Sequence, residues 1–125
     1  MRLFYVRHKG EMMKDEAYLK MLGTAVWESP VPIYIIHVEV DEAGKPVDWR
    51  FACANEAEAR HLSIPLEKLI GSSGIELLPK IGGKWLLPYY EAAYLKKTLD
   101  FDTFARRTKR YIHLHIMPAG TPGYC

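Results

Sequence analysis

The string His113-Leu114-His115-Ile116-Met117-Pro118 carries the residue types best suited to chemistry in this chain. On a strand, successive side chains alternate between faces, so His113 and His115 point the same way. Two imidazoles on one face can share an ion. A zinc site, however, wants three or four ligands with further hydrogen-bonding partners behind them. No third ligand is evident: His37 lies on another strand, and no metal site is expected. A nucleophilic histidine would need an oriented, activated ring and groups that stabilise phosphate charge. The plainer expectation is a polar strand face, with Ile112, Leu114 and Ile116 buried behind the two histidines. Cys53 and Cys125 lack zinc-type spacing and give no disulfide framework, and Cys53 reads as a small buried hydrophobe in a reducing compartment.

The aromatic residues raise a second chemistry. Leu86, Tyr89, Tyr90, Ala93 and Tyr94 fall on one face of a helix spanning roughly Trp85–Leu99. Such a stripe either seals a core or shapes a small-molecule pocket, where a phenol adds one orienting hydrogen bond. The expected pocket residues are Trp85, Leu86, Tyr89, Tyr90 and Ala93 on the helix, with Ile112, Leu114 and Ile116 facing them. An earlier helix, from Glu11 to about Ser29, has its apolar stripe at Tyr18, Met21, Leu22, Ala25 and Val26. That stripe must cover the domain's own sheet or another copy, and the expectation is a homodimer contact.

Other elements must position these groups. Residues 33–40, IYIIHVEV, suit a strand, and Trp49, Phe51 and Cys53 alternate on the returning strand Trp49–Ala54 after a polar loop. Asn55 is placed to cap a helix, with Glu58 where a capping-box partner belongs. Two short helices follow, then a Gly-Ser stop at Gly71–Gly74. Gly82-Gly83 precedes the long helix, whose Pro88 is expected in the first turn. Phe101–Thr108 and Arg110–Met117 alternate as two more strands, and another strand would begin at Tyr124-Cys125. The 125 residues, 49% hydrophobic with a formal net charge of +2, fit one domain with a real core. The basic residues Lys96, Lys97, Arg106, Arg107, Lys109 and Arg110 are interrupted by Asp100 and Asp102 and read as a solvated face; no nucleic-acid partner is expected. No run is long enough to span a membrane and no signal peptide is read, so a cytoplasmic location without membrane contact is expected.

Residues 49–71, WRFACANEAEARHLSIPLEKLIG, resemble the PAS family of sensory domains. There a strand leads into an asparagine, a short helix, a Ser-Ile-Pro-type turn (Ser63-Ile64-Pro65) and a segment like Glu67-Lys68-Leu69-Ile70-Gly71. The stretches IYIIHVEVDEAGKPVDWRF and RYIHLHIMPAG extend the resemblance. It implies an α+β PAS-like fold, with an antiparallel sheet of about five strands and helices packed on one face. The expected division is an N-terminal extension with an amphipathic helix over 1–29 and a PAS-like sensory domain over 30–125, its last strand truncated. It further implies a non-enzymatic sensory or dimerisation module of a bacterial signalling protein, with a diguanylate cyclase or histidine kinase output in the same longer chain. A small organic ligand is compatible with it. The flavin photosensors of the family carry a reactive cysteine that GSSGIELLP lacks, so flavin is rejected. Haem is not expected, because the long helix has no histidine, although His61 stands nearby. The alternative is a ligand-free dimerisation module.

The histidine string itself resembles the histidine-triad nucleotide hydrolases and transferases. That likeness implies His113 as nucleophile and His115 as the phosphate-side histidine. Tyr111 stands where the first histidine belongs, and Arg106-Arg107-Thr108-Lys109 replaces the Gly-Gln element.

Overall fold

The computed structural model describes residues 17, 21, 23–106 and 108–125. Residues 17, 21 and 23–27 are helical, and the rest of the expected first helix lies outside the described residues. Strands β1 (Tyr34–Val40) and β2 (Pro46–Ala54) follow, then helices α1 (Glu56–Leu62), α2 (Leu66–Leu69), α3 (Gly74–Leu77) and α4 (Gly82–Leu95), and strands β3 (Leu99–Ala105) and β4 (Arg110–Ile116). Among the described residues, no helix is long and apolar enough to cross a membrane.

The architecture is α+β, but the single sheet of about five strands is not formed. There are two separate two-stranded antiparallel sheets, β1–β2 and β3–β4, accompanied by several short helices. The reason lies at the strand edges. On its second edge β1 meets, among the described residues, only the segment 123–125, through the bridge His37–Tyr124 and bonds such as Ile36 N to Cys125 O at 2.8 Å. The β4 strand pairs with β3 alone among the described residues.

Within β1–β2 the period-two pattern holds up to a bulge. Ile36 pairs with Phe51 but Ile35 pairs with Cys53, so Ala52 is the extra residue. Beyond it the faces exchange: Ala54 is buried while Cys53 is only half-buried. The core gathers Ile36, Val38, Trp49, Phe51, Leu69, Trp85, Tyr89 and Ile116.

The long helix differs from its expected span at both ends. It starts at Gly82, where glycine propensity argues against a helix, because tertiary contacts override propensity there. The Gly82 carbonyl accepts from Trp49 Nε1 at 2.8 Å. A Cβ on Gly82 would overlap the Gly74 carbonyl, and one on Gly74 would overlap the Trp49 indole. Pro88 therefore lies inside the helix rather than in its first turn, and the Lys84 carbonyl is denied an amide donor there. The helix stops at Leu95 because Lys96 adopts the left-handed conformation (φ 57), from which its amide bonds back to Glu91 O. The expected Gly-Ser stop is non-helical over 71–73, and a further short helix, α3, starts at its last residue, Gly74, capped by Ser73 Oγ accepting from Glu76 N at 3.2 Å.

The packing around Trp49 makes a paired prediction. Gly74→Ala drives a methyl into the indole and should cost about 2 kcal/mol. Gly83→Ala meets open space in the same helix end as Gly82 and should be neutral or stabilising by about 0.5 kcal/mol. Urea unfolding of both variants checks the sign at each position.

Candidate functional site

The site is built outward from Asn55, which is 1% exposed at the junction of β2 and α1. Its Oδ1 accepts from Glu58 N at 3.0 Å, so the expected N-cap is formed. The same oxygen accepts from Ile33 N at 3.0 Å, and Nδ2 donates to Val31 O at 2.8 Å and Val26 O at 3.3 Å. The Asn55 amide donates to Ile33 O at 3.0 Å. The capping box is thus half-made: the backbone N–H that Glu58 would have taken is already bonded to Ile33. One side chain clasps residues 26–33 to the start of α1.

The Glu58 side chain turns inward. The residue is 3% exposed, between Ala57 and Ala59, which are also buried. It makes no side-chain hydrogen bond with another described residue, and burial pushes its carboxyl from an ordinary 4.5 up to about 7. Across the interior stand Tyr34 of β1 and Tyr89 of α4, their hydroxyls 2.9 Å apart. Burial raises both phenols well above their usual value, and the Glu58 charge adds to the effect. Cys125 completes the group: its Sγ donates to Tyr89 O at 3.7 Å, and burial pushes the thiol up to about 12.

The expected pocket residues surround this polar group but pack as core. Trp85, Tyr89, Ala93 and Ile116 are buried, and Leu86, Tyr90 and Leu114 are half-buried against them. Ile112 is half-buried nearer the hairpin tip, opposite Thr103. Trp85 stacks on Tyr89 at 6.2 Å and meets Phe101 edge-on at 5.5 Å, while Trp49 meets Tyr89 at 4.9 Å. The rings of this interface therefore contact one another. Sequence reasoning missed Tyr34, Glu58 and Cys125. Tyr34 shares the period-two face of Ile36 and Val38, a signal that was there to read. The capping-box position of Glu58 pointed to the backbone, and only the small flanking Ala57 and Ala59 hinted at close packing.

No protein-family model, curated protein or solved structure matches this chain.

The histidines lie on the outer face of the second sheet. His115 pairs across the ladder with Asp100, and His113 with Asp102. His113 Nδ1 lies 2.9 Å from Asp102 Oδ1, and its Nε2 lies 3.0 Å from Asp100 Oδ1, which also meets His115 Nδ1 at 2.8 Å. Both ring nitrogens of His113 are thus engaged by carboxylates, which leaves neither nitrogen directed at a substrate. Asp102 and then Asp100 raise the His113 pKa, and the two histidines lower that of Asp100. Among the described residues no three His, Cys, Asp or Glu side chains are arranged to hold a metal ion. Phe104 and Tyr111 continue this face, their rings 5.1 Å apart and Tyr111 85% exposed. His61 is half-buried at the end of α1, where burial and then Arg110 lower its pKa.

Of the expected dimer stripe, Met21 and Ala25 are exposed and Val26 is half-buried; Tyr18 and Leu22 lie outside the described residues. Ala17, Met21, Thr24 and Ala25 line a groove of about 550 Å³. Lys96, Arg106, Lys109 and Arg110 are exposed, Lys97 pairs with Glu91 at 3.4 Å, and Arg107 lies outside the described residues.

Asn55→Ala strips the clasp and the cap together and should cost about 2–4 kcal/mol in urea unfolding. Asn55→Asp keeps the cap acceptor but loses the two Nδ2 donor bonds, and should fall between wild type and Asn55→Ala. The outer face has its own test. A histidine raised by carboxylates stabilises below its unfolded pKa and loses that contribution as pH rises through the folded value. An NMR titration should place the His113 midpoint above the usual histidine value, and Asp100→Asn with Asp102→Asn should bring it back.

Proposed function

We propose that this chain is a sensory and interaction domain of a bacterial signal-transduction protein, acting in the cytoplasm on an output domain of the diguanylate cyclase or histidine kinase kind. The observation that carries the reading is the polar group of buried Tyr89 and Glu58 with half-buried Tyr34 and Cys125, lodged where the N-terminal segment is clasped. Folding alone does not call for a carboxyl in a core; such groups cost stability unless neutral or bonded. Perturbed groups of this kind cluster at sites that bind or respond. The resemblance of residues 49–71 to PAS domains supports the same class, since those domains bind and sense. The small organic ligand belongs to this reading at the sheet–helix interface, among Trp85, Tyr89, Tyr90, Leu114 and Ile116.

The ligand-free version of the reading is favoured by the ring contacts that fill that interface. In it the domain pairs subunits, with Met21, Ala25 and Val26 facing their counterparts in a second copy. The histidine-based hydrolase reading finds less support. His113 and His115 sit on an open strand face with their nitrogens engaged by Asp100 and Asp102.

Native mass spectrometry of gently purified protein, with an absorbance spectrum of the same sample, separates these outcomes. The expected result is a homodimer, with or without a retained small-molecule mass. A ligand-free monomer at all accessible concentrations would overturn the proposal.

A further inference from the structure

The outer face of the β3–β4 hairpin is uncovered. Asp100, Asp102 and Phe104 on β3 and Tyr111, His113 and His115 on β4 are all exposed, whereas Leu99, Phe101, Leu114 and Ile116 between them pack on the core. Phe104 and Tyr111 lie side by side on this face, rings 5.1 Å apart. A two-stranded hairpin is marginal in water, and exposed rings rimmed by polar groups mark a contact surface.

The ladder sorts this face into rows. Asp100 pairs with His115, Asp102 with His113 and Phe104 with Tyr111. Beyond the aromatic row, the turn carries exposed Arg106 and Lys109. Rows lie about 7 Å apart, so the Asp100 end is about 20 Å from the cations of its own copy. The face therefore runs from carboxylates, through rings, to cations, and its two charged ends cannot meet within one chain. Reversed, the same order of rows is its own complement. A two-fold axis lying in the face, across the strands and between the Asp102 and Phe104 rows, lays β3 over β3 of a second copy. Asp100 then stands opposite Arg106 of that copy, and His113 opposite its Tyr111. Both histidine bonds to Asp100 fall on Oδ1, which leaves Oδ2 to accept from a guanidinium. A partner of one charge would use one end only; a second copy uses both ends, twice over.

We propose that the outer face of β3–β4 is a pairing surface for a second copy of this chain, the two hairpins stacked face to face and antiparallel, with Asp100 of each against Arg106 of the other. This deepens the interaction reading by naming the surface that pairs the subunits, and it rests on that reading. The surface is separate from the N-terminal stripe of Met21, Ala25 and Val26. It is also small beside the ~20–30 residues a side of a standard interface, so the pairing is weak and sensitive to salt.

Sedimentation of the intact chain at low salt, up to millimolar concentration, tests this through a charge exchange. Asp100→Lys alone sets lysine against Arg106 at both contacts, and Arg106→Glu alone sets two carboxylates together. Each should weaken the dimer about tenfold or more, because like charges then face each other across the dyad. An equimolar mixture of the two variants should restore it, since lysine then meets glutamate at one contact and Asp100 meets Arg106 at the other. Tyr111→Ala, at a residue 85% exposed and so removable with little cost to the fold, should also weaken pairing. It decides the matter should Asp100→Lys fold poorly. The inference is wrong if the dimer is indifferent to these substitutions, for then another surface pairs the copies and the sensory reading stands. It is equally wrong if both charge variants weaken the dimer but their mixture does not recover it, which points to a different partner or register. A wild-type monomer at every concentration overturns it too, and the retained-ligand mass then decides the sensory reading alone.

Discussion

Among the described residues, one amide holds the segment 26–33 to the rest of the fold. Asn55 uses its oxygen twice and its nitrogen twice, and no other small side chain offers both a two-site acceptor and a two-site donor. Aspartate could cap α1 but has no donor for the Val31 carbonyl, and serine's single O–H could not serve both Val31 and Val26. Because Ile33 is bonded at both its N–H and its C=O to Asn55, the next residue, Tyr34, enters β1 from a fixed point. That point sets the Tyr34 hydroxyl against Tyr89. The clasp thus positions the buried polar group as well as the chain entering it.

On the other side of the core the controlling constraint is steric. Trp49 occupies the space that any side chain at position 74 would need, and its indole N–H reaches the Gly82 carbonyl. The two glycines let α3 and the start of α4 close over the ring. The resulting interior is well bonded: the Trp49 indole, both tyrosine hydroxyls, the Tyr94 hydroxyl on Val38 O and the Asn55 amide all have partners. Glu58, also buried, makes no side-chain hydrogen bond with another described residue.

The parts legible in the sequence were those governed by local rules. The alternation of Ile36 with Val38 and of Trp49 with Phe51, and the cap at Asn55, appear where the residues alone place them. What escaped was set by distant contacts. The bulge at Ala52 leaves no mark in composition, yet it exchanges the faces of Cys53 and Ala54. Gly82 begins a helix because of Trp49 and Gly74, far from it in sequence. The division into two sheets turns on which edges find partners, and that cannot be read from a strand's own residues. At the site, the tyrosine stripe of α4 was visible, but its partners Tyr34 and Glu58 come from elements whose own patterns suggested only a strand and a cap.

The division into two sheets has a dynamic consequence. A lone two-stranded hairpin is marginal in water, so β3–β4 depends on what its inner face covers. That face, Leu99, Phe101, Leu114 and Ile116, lies against the core, with Ile116 buried in it and Phe101 edge-on to Trp85. Trp85 stacks on Tyr89 one turn along α4, and Tyr89 bonds Tyr34 beside the clasp. The clasp and the second hairpin therefore lean on the same stretch of one helix. Contact of this kind does not by itself transmit a signal; transmission needs an element with two states. Glu58, whose carboxyl burial pushes up to about 7, sits at one end of the chain of contacts. The outer Asp100–His115 and Asp102–His113 pairs sit at the other end, where water screens them and their titration weighs little on the core.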